Sequence, residues 1–277
     1  MKNRKSVLGK ILTVFGDIKV YRWPMFVVYA PKGYAVDGAD CREAMAAVEP
    51  GDVLLRGYDD YLDGHFIPGF FSHAGTYVGE IKPDELREAE GVDAESLFEP
   101  GPQMVVHAKA EGVLCEDLLD FCRTDRMLVL RLPPVVKSDG LRPSLIPISQ
   151  FTSDELDIFL RLKRGAGVPR EEITKLIVER AISRVGTPYD FKFDFADFDS
   201  LCCSEFSYWC MKCCANCLDL APHTRRVLGI KKSMLEPDSM IHSGLQAIWA
   251  SGSAVDNLAA RGVRPSWGNP PSKKTAT

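Results

Sequence analysis

The chain has 277 residues, a length that fits one large globular domain or one domain with added segments. Its formal net charge of −4 provides no general electrostatic attraction for nucleic acid, so the sequence predicts no nucleic-acid partner. The nine cysteines are odd in number and unevenly spaced, which does not fit a disulfide framework and favours a reducing compartment. We therefore expect a cytoplasmic protein.

Residues 1–39 form an N-terminal segment in which apolar residues from Val7 to Phe15 alternate with polar and basic ones. This pattern is typical of an amphipathic helix, for which docking on its own domain is the simpler interpretation and peripheral membrane contact is the alternative. Asp17 and Lys19 interrupt the apolar stretch, so we expect the segment to be retained rather than cleaved as a signal peptide. No segment reaches the roughly 18 apolar residues that a membrane span needs.

The predicted main domain covers residues 40–250 and begins with a short helix at residues 40–48. Asp40 and Glu43 have the spacing of a capping box at its start, and Pro50 and Gly51 end it. Four segments with apolar runs or alternation predict β-strands, at residues 52–56, 73–80, 104–108 and 127–132. The acidic segment 80–99 is predicted to be a solvated surface insertion, with a lid that screens against anionic ligands as the alternative.

Helices predominate in the second half of the chain. A short helix is predicted at residues 116–123 and an irregular, proline-rich loop at 133–150. Further helices are predicted at residues 153–163, 169–185, 201–218 and 237–250. Residues 251–277 are expected to form a disordered tail. Strands that precede helices, without βαβ alternation, predict an α+β fold in which a small antiparallel sheet packs against helices.

Two segments far apart in the chain provide the side chains of a nucleophilic enzyme. Cys203 lies near the predicted start of a helix, where unpaired N–H groups and the helix dipole favour a thiolate and can bind an oxyanion. His73 and His107 lie on two predicted strands of one sheet. A thiol that meets an imidazole forms a nucleophile and base pair, and a second polar group can orient that imidazole. Taken singly, each residue also has a structural interpretation, as a buried apolar cysteine or a hydrogen-bonded histidine.

Five short motifs resemble the circularly permuted papain-like group, which includes the YaeF/YiiX-type relatives of NlpC hydrolases and the lecithin:retinol acyltransferase-like proteins. The motifs are GDVLL at 51–55, SHAGTYVG at 72–79, VVHA at 105–108, GTPYD at 186–190 and CSE at 203–205. The histidine precedes the cysteine, which is the permuted order. The resemblance thus implies a permuted papain-like fold with the nucleophile helix C-terminal to the histidine strand. It assigns Cys203, rather than the adjacent Cys202, as nucleophile and His73 as general base.

The residue that orients His73 has two candidates. His107 falls where the lecithin:retinol acyltransferase-like proteins carry their second histidine, and it is the first choice. YiiX-type members often have an acidic residue there, which leaves Glu111 as the alternative. Tyr77, Tyr189 and Asp190 are predicted to contact the substrate, with packing in the core as the competing role.

The motifs predict a thiol hydrolase that cleaves an amide or ester bond through an acyl-enzyme on Cys203. The expected substrate is a peptide or lipid with an amide or acyl group, and neither a metal nor an organic cofactor is required. One alternative is an acyltransferase that moves a fatty-acyl group to lipid or protein. Another is a non-catalytic binding module.

The binding-module alternative depends on a cysteine cluster formed by Cys210, Cys213, Cys214 and Cys217. The two tandem C-x-x-C units have a spacing that is compatible with zinc. However, the four positions lie on one face of the predicted helix 201–218, and ligands from a single helix rarely enclose a tetrahedral ion. The sequence therefore favours a cysteine-rich core face over a metal site.

Overall fold

The computed structural model describes residues 18–22, 25–29, 34–59, 69–82, 100–138, 145–192, 195, 197–227 and 230–266. In chain order, its strands and α-helices are β1 (Ile18–Arg22), β2 (Met25–Tyr29), α1 (Gly38–Ala47), β3 (Val53–Gly57), β4 (His73–Ile81), β5 (Gly101–Lys109), β6 (Gly112–Asp117), α2 (Leu118–Phe121), β7 (Arg126–Arg131), β8 (Val135–Val136), α3 (Ser153–Lys163), β9 (Val168–Pro169), α4 (Arg170–Ser183), α5 (Cys203–Cys210), β10 (His223–Val227), β11 (Ile230–Met234), β12 (Gln246–Ala250) and α6 (Val255–Ala260). Short 3₁₀ turns lie at Ile148–Gln150, Ala215–Cys217 and Pro237–His242.

A six-stranded antiparallel sheet with the strand order β12-β7-β3-β4-β5-β6 forms the centre of the fold. Strand β4 lies between β3 and β5, so its first residue, His73, is flanked by strands on both sides. Three separate two-stranded pairs, β1-β2, β8-β9 and β10-β11, accompany it. This antiparallel sheet with its helices confirms the predicted α+β fold.

Both faces of the central sheet are covered by apolar packing. One cluster joins Ala74 and Val106 of the sheet to Ile177 of α4 and Phe206 of α5. The second cluster lies on the opposite face, to which the alternate residues of each strand point, and it joins Val105 to α2 and to Trp249 of β12. Because both faces are buried, β3 and β7 each contain a run of consecutive apolar residues, VLL at 53–55 and MLVL at 127–130, and not an alternating pattern.

The helix that carries Cys203 is shorter than predicted. α5 ends at Cys210, and the chain then turns into the 3₁₀ segment Ala215–Cys217, so the prediction of one helix over 201–218 is wrong. Lys212, just beyond the helix end, places its Nζ atom 2.6 Å from a carboxylate oxygen of the buried Glu155 on α3. Helical periodicity contains no information about this partner, which lies far away in the sequence.

Two further predicted helices are wrong in part. The segment predicted as a helix at 116–123 divides into the end of β6 and the short α2. The segment predicted at 237–250 is a 3₁₀ turn followed by β12, which pairs with β7 at the sheet edge. In both cases pairing with a distant strand overrides the local helical pattern.

Two boundaries also differ from the prediction. α1 is capped by Asp37, whose side chain accepts hydrogen bonds from the N–H groups of Ala39 and Asp40, rather than by the pair Asp40 and Glu43. Residues 251–266 are ordered and contain α6 with the buried Leu258, so the predicted disordered tail does not begin at residue 251.

Some predictions fall outside the described residues. These are the N-terminal helix, most of the acidic insertion, and residues 267–277 of the tail. Among the described segments, every helix is too short or too polar to cross a membrane.

Candidate active site

The start of α5 is held in place by a buried carboxylate. Glu205 accepts hydrogen bonds from the N–H of Cys202, at 2.8 Å, and from the N–H of Phe195, at 3.0 Å. An acidic side chain in the first turn satisfies an N–H group that the helix leaves unpaired. Burial raises the pKa of Glu205 to about 7, because the charged carboxylate is removed from water. Glu205 thus fixes both the helix start and the loop that precedes it.

Cys203 is the first residue of α5 and is only 2% exposed. Its thiol receives hydrogen bonds from the backbone N–H groups of Ala74 and Ser204. Ala74 directly follows His73 on β4, and α5 packs on β4 and β5. The structure therefore brings the two predicted segments together, with the thiol beside the first residues of the histidine strand.

His73 and His107 form a direct side-chain pair. The Nε2 atom of His73 lies 2.7 Å from the Nδ1 atom of His107, and the rings meet edge to face. In the register of β4 and β5, His107 lies opposite Gly75, so it is the diagonal neighbour of His73 on the same face. Gly75 makes this possible, since a Cβ atom there would lie 2.9 Å from Phe121 and Val105 and 3.2 Å from the Cβ of His107.

A carboxylate that sequence reasoning missed lies behind His107. Glu116 of β6 places its Oε1 atom 3.0 Å from the Nε2 atom of His107 and 3.2 Å from Nη1 of Arg56. Its other oxygen, Oε2, contacts the Nζ atom of Lys109. Glu111, the alternative candidate, is exposed in the turn between β5 and β6. Glu116 was missed because its segment was assigned to a helix, which hid its place beside His107.

The charges around Glu116 keep it ionised. Burial alone would raise the pKa of Glu116, but the contact with His107 and the charges of Arg56 and Lys109 outweigh it and hold the pKa well below its usual range. Burial lowers the pKa of His107 to about 4, against the opposing effect of Glu116. Burial and the charge of Arg56 likewise hold the pKa of His73 well below its usual range. Both imidazoles are consequently neutral at neutral pH.

The thiol is neutral as well. Burial raises the pKa of Cys203 to about 11, although the N–H groups of Ala74 and Ser204 lower it. The sequence predicts that the helix start favours a thiolate, but in the free protein removal from water outweighs those N–H groups. At rest, the Cys203 thiol is therefore protonated and the imidazole of His73 is neutral.

The three predicted substrate-contacting residues lie in different places. Tyr189 is next to the thiol, because burial and the proximity of Cys203 and Cys202 hold its pKa well above the usual range. Asp190 is buried and accepts a hydrogen bond from the N–H of Lys192 at 2.8 Å. Tyr77 packs in the second apolar cluster, where Asp52 and Asp117 are its charged neighbours. Its place is thus in the core.

The cysteine cluster contributes to packing. Cys210, Cys213 and Cys214 are buried, and Cys217 is partly buried. The Cys213 and Cys214 thiols are neighbours, and this contact together with burial holds the pKa of Cys214 well above its usual range. Within the described segments, no three His, Cys, Asp or Glu side chains converge as a metal site would require.

Comparison with known proteins identifies a sequence family for this chain. Residues 47–257 match the sequence family described as permuted papain-like amidase enzymes, YaeF/YiiX, C92 family. A solved structure described as the metalloprotein YiiX from Escherichia coli O157:H7 is similar, with 14% sequence identity and a TM-score of 0.43 over 73% of this chain and 97% of that one. No curated protein matches the chain. The family match covers well over half of the sequence and confirms the resemblance that the motifs indicate: the chain belongs to the YaeF/YiiX family of permuted papain-like amidases.

Proposed function

We propose that this protein is a cysteine hydrolase of amide or ester bonds, with Cys203 as nucleophile and His73 as general base. The observation that carries the proposal is that the Cys203 thiol lies beside the backbone N–H of Ala74, the strand residue that follows His73. The 2.7 Å contact with His107 orients the His73 ring. A thiol, a base and an orienting group are the three parts of a nucleophilic triad.

The pKa values determine how the reaction begins. Because the thiol has a pKa of about 11 and the imidazole is neutral, the proton moves from sulfur to His73 as sulfur attacks the substrate carbonyl. The carbonyl oxygen gains the negative charge, and N–H groups at the start of α5 stabilise it. His73 then gives its proton to the leaving amine or alkoxide, and a thioester remains on Cys203.

Water completes the cycle. His73 removes a proton from the water that attacks the thioester, the carboxylic acid leaves, and the proton returns to sulfur. Tyr189, adjacent to Cys203, is positioned to contact the acyl group of the substrate. We propose a peptide or a lipid with an amide or acyl group as the substrate.

Acyl transfer is the second candidate, and one observation favours it. Cys203 is 2% exposed, so bulk water has little access to a thioester formed there, and an acceptor amine or alcohol that fills the site would compete well. Product analysis with and without a candidate acceptor distinguishes the two reactions, since transfer yields a new amide or ester and hydrolysis yields the free acid.

The direct test is detection of the acyl-enzyme. The protein is incubated with activated acyl esters and N-acyl amides, quenched in acid and digested. Mass spectrometry then measures the mass of each cysteine-containing peptide. We expect an acyl adduct on Cys203 that is absent from Cys203→Ala and strongly reduced in His73→Ala. Cys202→Ala is the matched control, because Cys202 is the preceding residue and equally buried. Adducts distributed over several cysteines, or unchanged in His73→Ala, would contradict the proposal.

A further inference from the structure

We propose that Glu116 is a positioning residue that sets the tautomers of both histidines and thereby makes Nδ1 of His73 the basic nitrogen. The inference rests on the proposed function, in which His73 is the general base. Its geometric basis is the continuous series from Glu116 Oε1 to His107 Nε2, at 3.0 Å, and from His107 Nδ1 to His73 Nε2, at 2.7 Å.

The series has one consistent arrangement of protons. An ionised carboxylate only accepts hydrogen bonds, and the charge of Glu116 at 3.0 Å favours a proton on Nε2 of His107, although this contact has the distance of an ion pair and not the alignment of a hydrogen bond. A neutral imidazole has one N–H, which leaves Nδ1 of His107 as an acceptor. The Nε2 atom of His73 must then donate to it, and the Nδ1 atom of His73 retains its lone pair.

This tautomer leaves the lone pair of His73 on Nδ1. In histidine, Nδ1 is the ring nitrogen nearer to the main chain. The Cys203 thiol is hydrogen-bonded to the backbone N–H of Ala74, the next residue along β4. In the opposite tautomer, Nδ1 of His73 would carry a proton and would have no lone pair with which to accept another.

The charged groups that surround the histidines belong to three strands. Arg56 of β3 and Lys109 of β5 contribute positive charge, Glu116 of β6 contributes negative charge, and α2 adds the apolar ring of Phe121 against both imidazoles. From α5, the Cys203 thiol lies beside the backbone N–H of Ala74, the residue that follows His73. Arg56 and Lys109 lower the pKa of both histidines, whereas Glu116 raises it. When His73 accepts the thiol proton, Glu116 stabilises the resulting cation through His107.

A purely structural role for Glu116, as the ion-pair partner of Arg56 and Lys109, predicts something different. Loss of Glu116 would then lower stability without a change in histidine tautomer. Two opposite substitutions separate the possibilities. Glu116→Gln removes the negative charge and keeps an amide oxygen that can accept a hydrogen bond. Lys109→Met removes a positive charge and leaves Glu116 in place.

The first readout is nitrogen NMR of ¹⁵N-histidine-labelled full-length protein in the Cys203→Ala background. We expect both His73 and His107 as neutral Nε2–H tautomers, and a mixture of tautomers for both after Glu116→Ala. If Glu116→Ala does not fold, the pH profile of Glu116→Gln decides. Tautomers other than Nε2–H, or tautomers that do not respond in a folded Glu116→Ala protein, would overturn the inference.

The second readout is the acid limb of kcat/KM against pH for an N-acyl substrate. Glu116→Gln should move this limb to lower pH and reduce the maximum by about 100-fold, the lower end of what a positioned base contributes. Lys109→Met should move the limb to higher pH, because a cation that depresses the histidine pKa is gone. An unmoved limb in both variants would contradict the inference.

The two proposals fail in distinguishable ways. If no acyl-enzyme forms but the tautomers are Nε2–H and change on loss of Glu116, the tautomer assignment is correct and the hydrolase proposal fails. Cys203 could instead be acylated normally while neither the tautomers nor the acid limb changes when Glu116 is replaced. In that case the hydrolase proposal is supported and the proposed role of Glu116 is wrong.

Discussion

The Nε2 atom of His73 lies 2.7 Å from the Nδ1 atom of His107, across two neighbouring strands of the central sheet. The pair is stabilised from behind by an ionised glutamate and packed against the ring of Phe121. A base on a regular strand of a covered sheet is held more rigidly than a base on a loop.

Alkylation of Cys203 should require high pH. Because burial raises the pKa of this thiol to about 11, we expect its reaction with iodoacetamide to be slow at pH 7 and to accelerate as the pH rises towards 11. Peptide mass spectrometry measures the rate at each cysteine. Cys41, which is partly exposed, is the internal reference for accessibility. Rapid alkylation of Cys203 below pH 8 would show that a thiolate already exists in the free protein.

Loss of the second histidine should reduce kcat rather than substrate binding. His107→Gln removes the ring whose Nδ1 atom contacts His73, and we expect kcat to fall by about 100-fold with KM within a factor of three. Steady-state kinetics on an N-acyl substrate measure both constants. A rise in KM with an unchanged kcat would instead place His107 in substrate binding.

Gly75 should not tolerate a side chain. A Cβ atom at this position would meet Phe121 and Val105 at 2.9 Å, and His107 would have to move. We expect Gly75→Ala to lower the free energy of unfolding by about 1–3 kcal/mol, as overpacked cores do, and to reduce activity further by displacing His107. Denaturant unfolding measures the first effect.

The control for that substitution is Gly252→Ala, where a Cβ atom would have ordinary contact with Asp40 at 3.8 Å. Its free energy of unfolding should stay within about 0.5 kcal/mol of the parent protein. Equal destabilisation by both substitutions would argue against the specific packing of His107 over Gly75.

Stability should depend on pH through Glu205. The pKa of Glu205 is about 7 in the folded protein and about 4.5 in the unfolded chain, so the folded state binds the proton more tightly. The contribution of Glu205 is therefore fully present below about pH 4.5 and is lost as the pH rises to about 7. His107, whose folded pKa is about 4, has the opposite effect in the same range, because its unfolded form binds the proton more tightly.

Comparison of the parent protein with Glu205→Gln isolates the first of these effects. The difference in unfolding free energy, parent minus variant, should decrease between pH 4.5 and pH 7 and stay constant above it. Urea unfolding at several pH values measures it. A difference that increases with pH would mean that the Glu205 carboxylate is stabilised, rather than destabilised, by its surroundings.

The local parts of the site could be predicted from the sequence. Cys203 begins a helix, and His73 and His107 lie on adjacent strands, as their flanking residues indicate. Helix α3 was predicted with its observed bounds, and the structure shows that Thr152 and Glu155 form a capping box at its start. Such features depend on residues within a few positions of one another.

Predictions failed where a distant partner decides the structure. The segment of β12 has no strong local preference for a strand, and it pairs with β7 from the far end of the chain. α5 stops at Cys210, close to the buried contact between Lys212 and Glu155. Tertiary contacts of this kind routinely override local propensity.

The sequence by itself determined the fold class, the permuted order of His73 and Cys203, and the family, because residue type, periodicity and short motifs are local properties of the chain. Only the tertiary structure decided that Glu116 lies behind His107 and that the Cys203 thiol is protonated at rest. The physical reason is that sheet register sets which side chains become diagonal neighbours, and burial sets the desolvation that shifts their pKa values. Both arise only when segments far apart in sequence pack together.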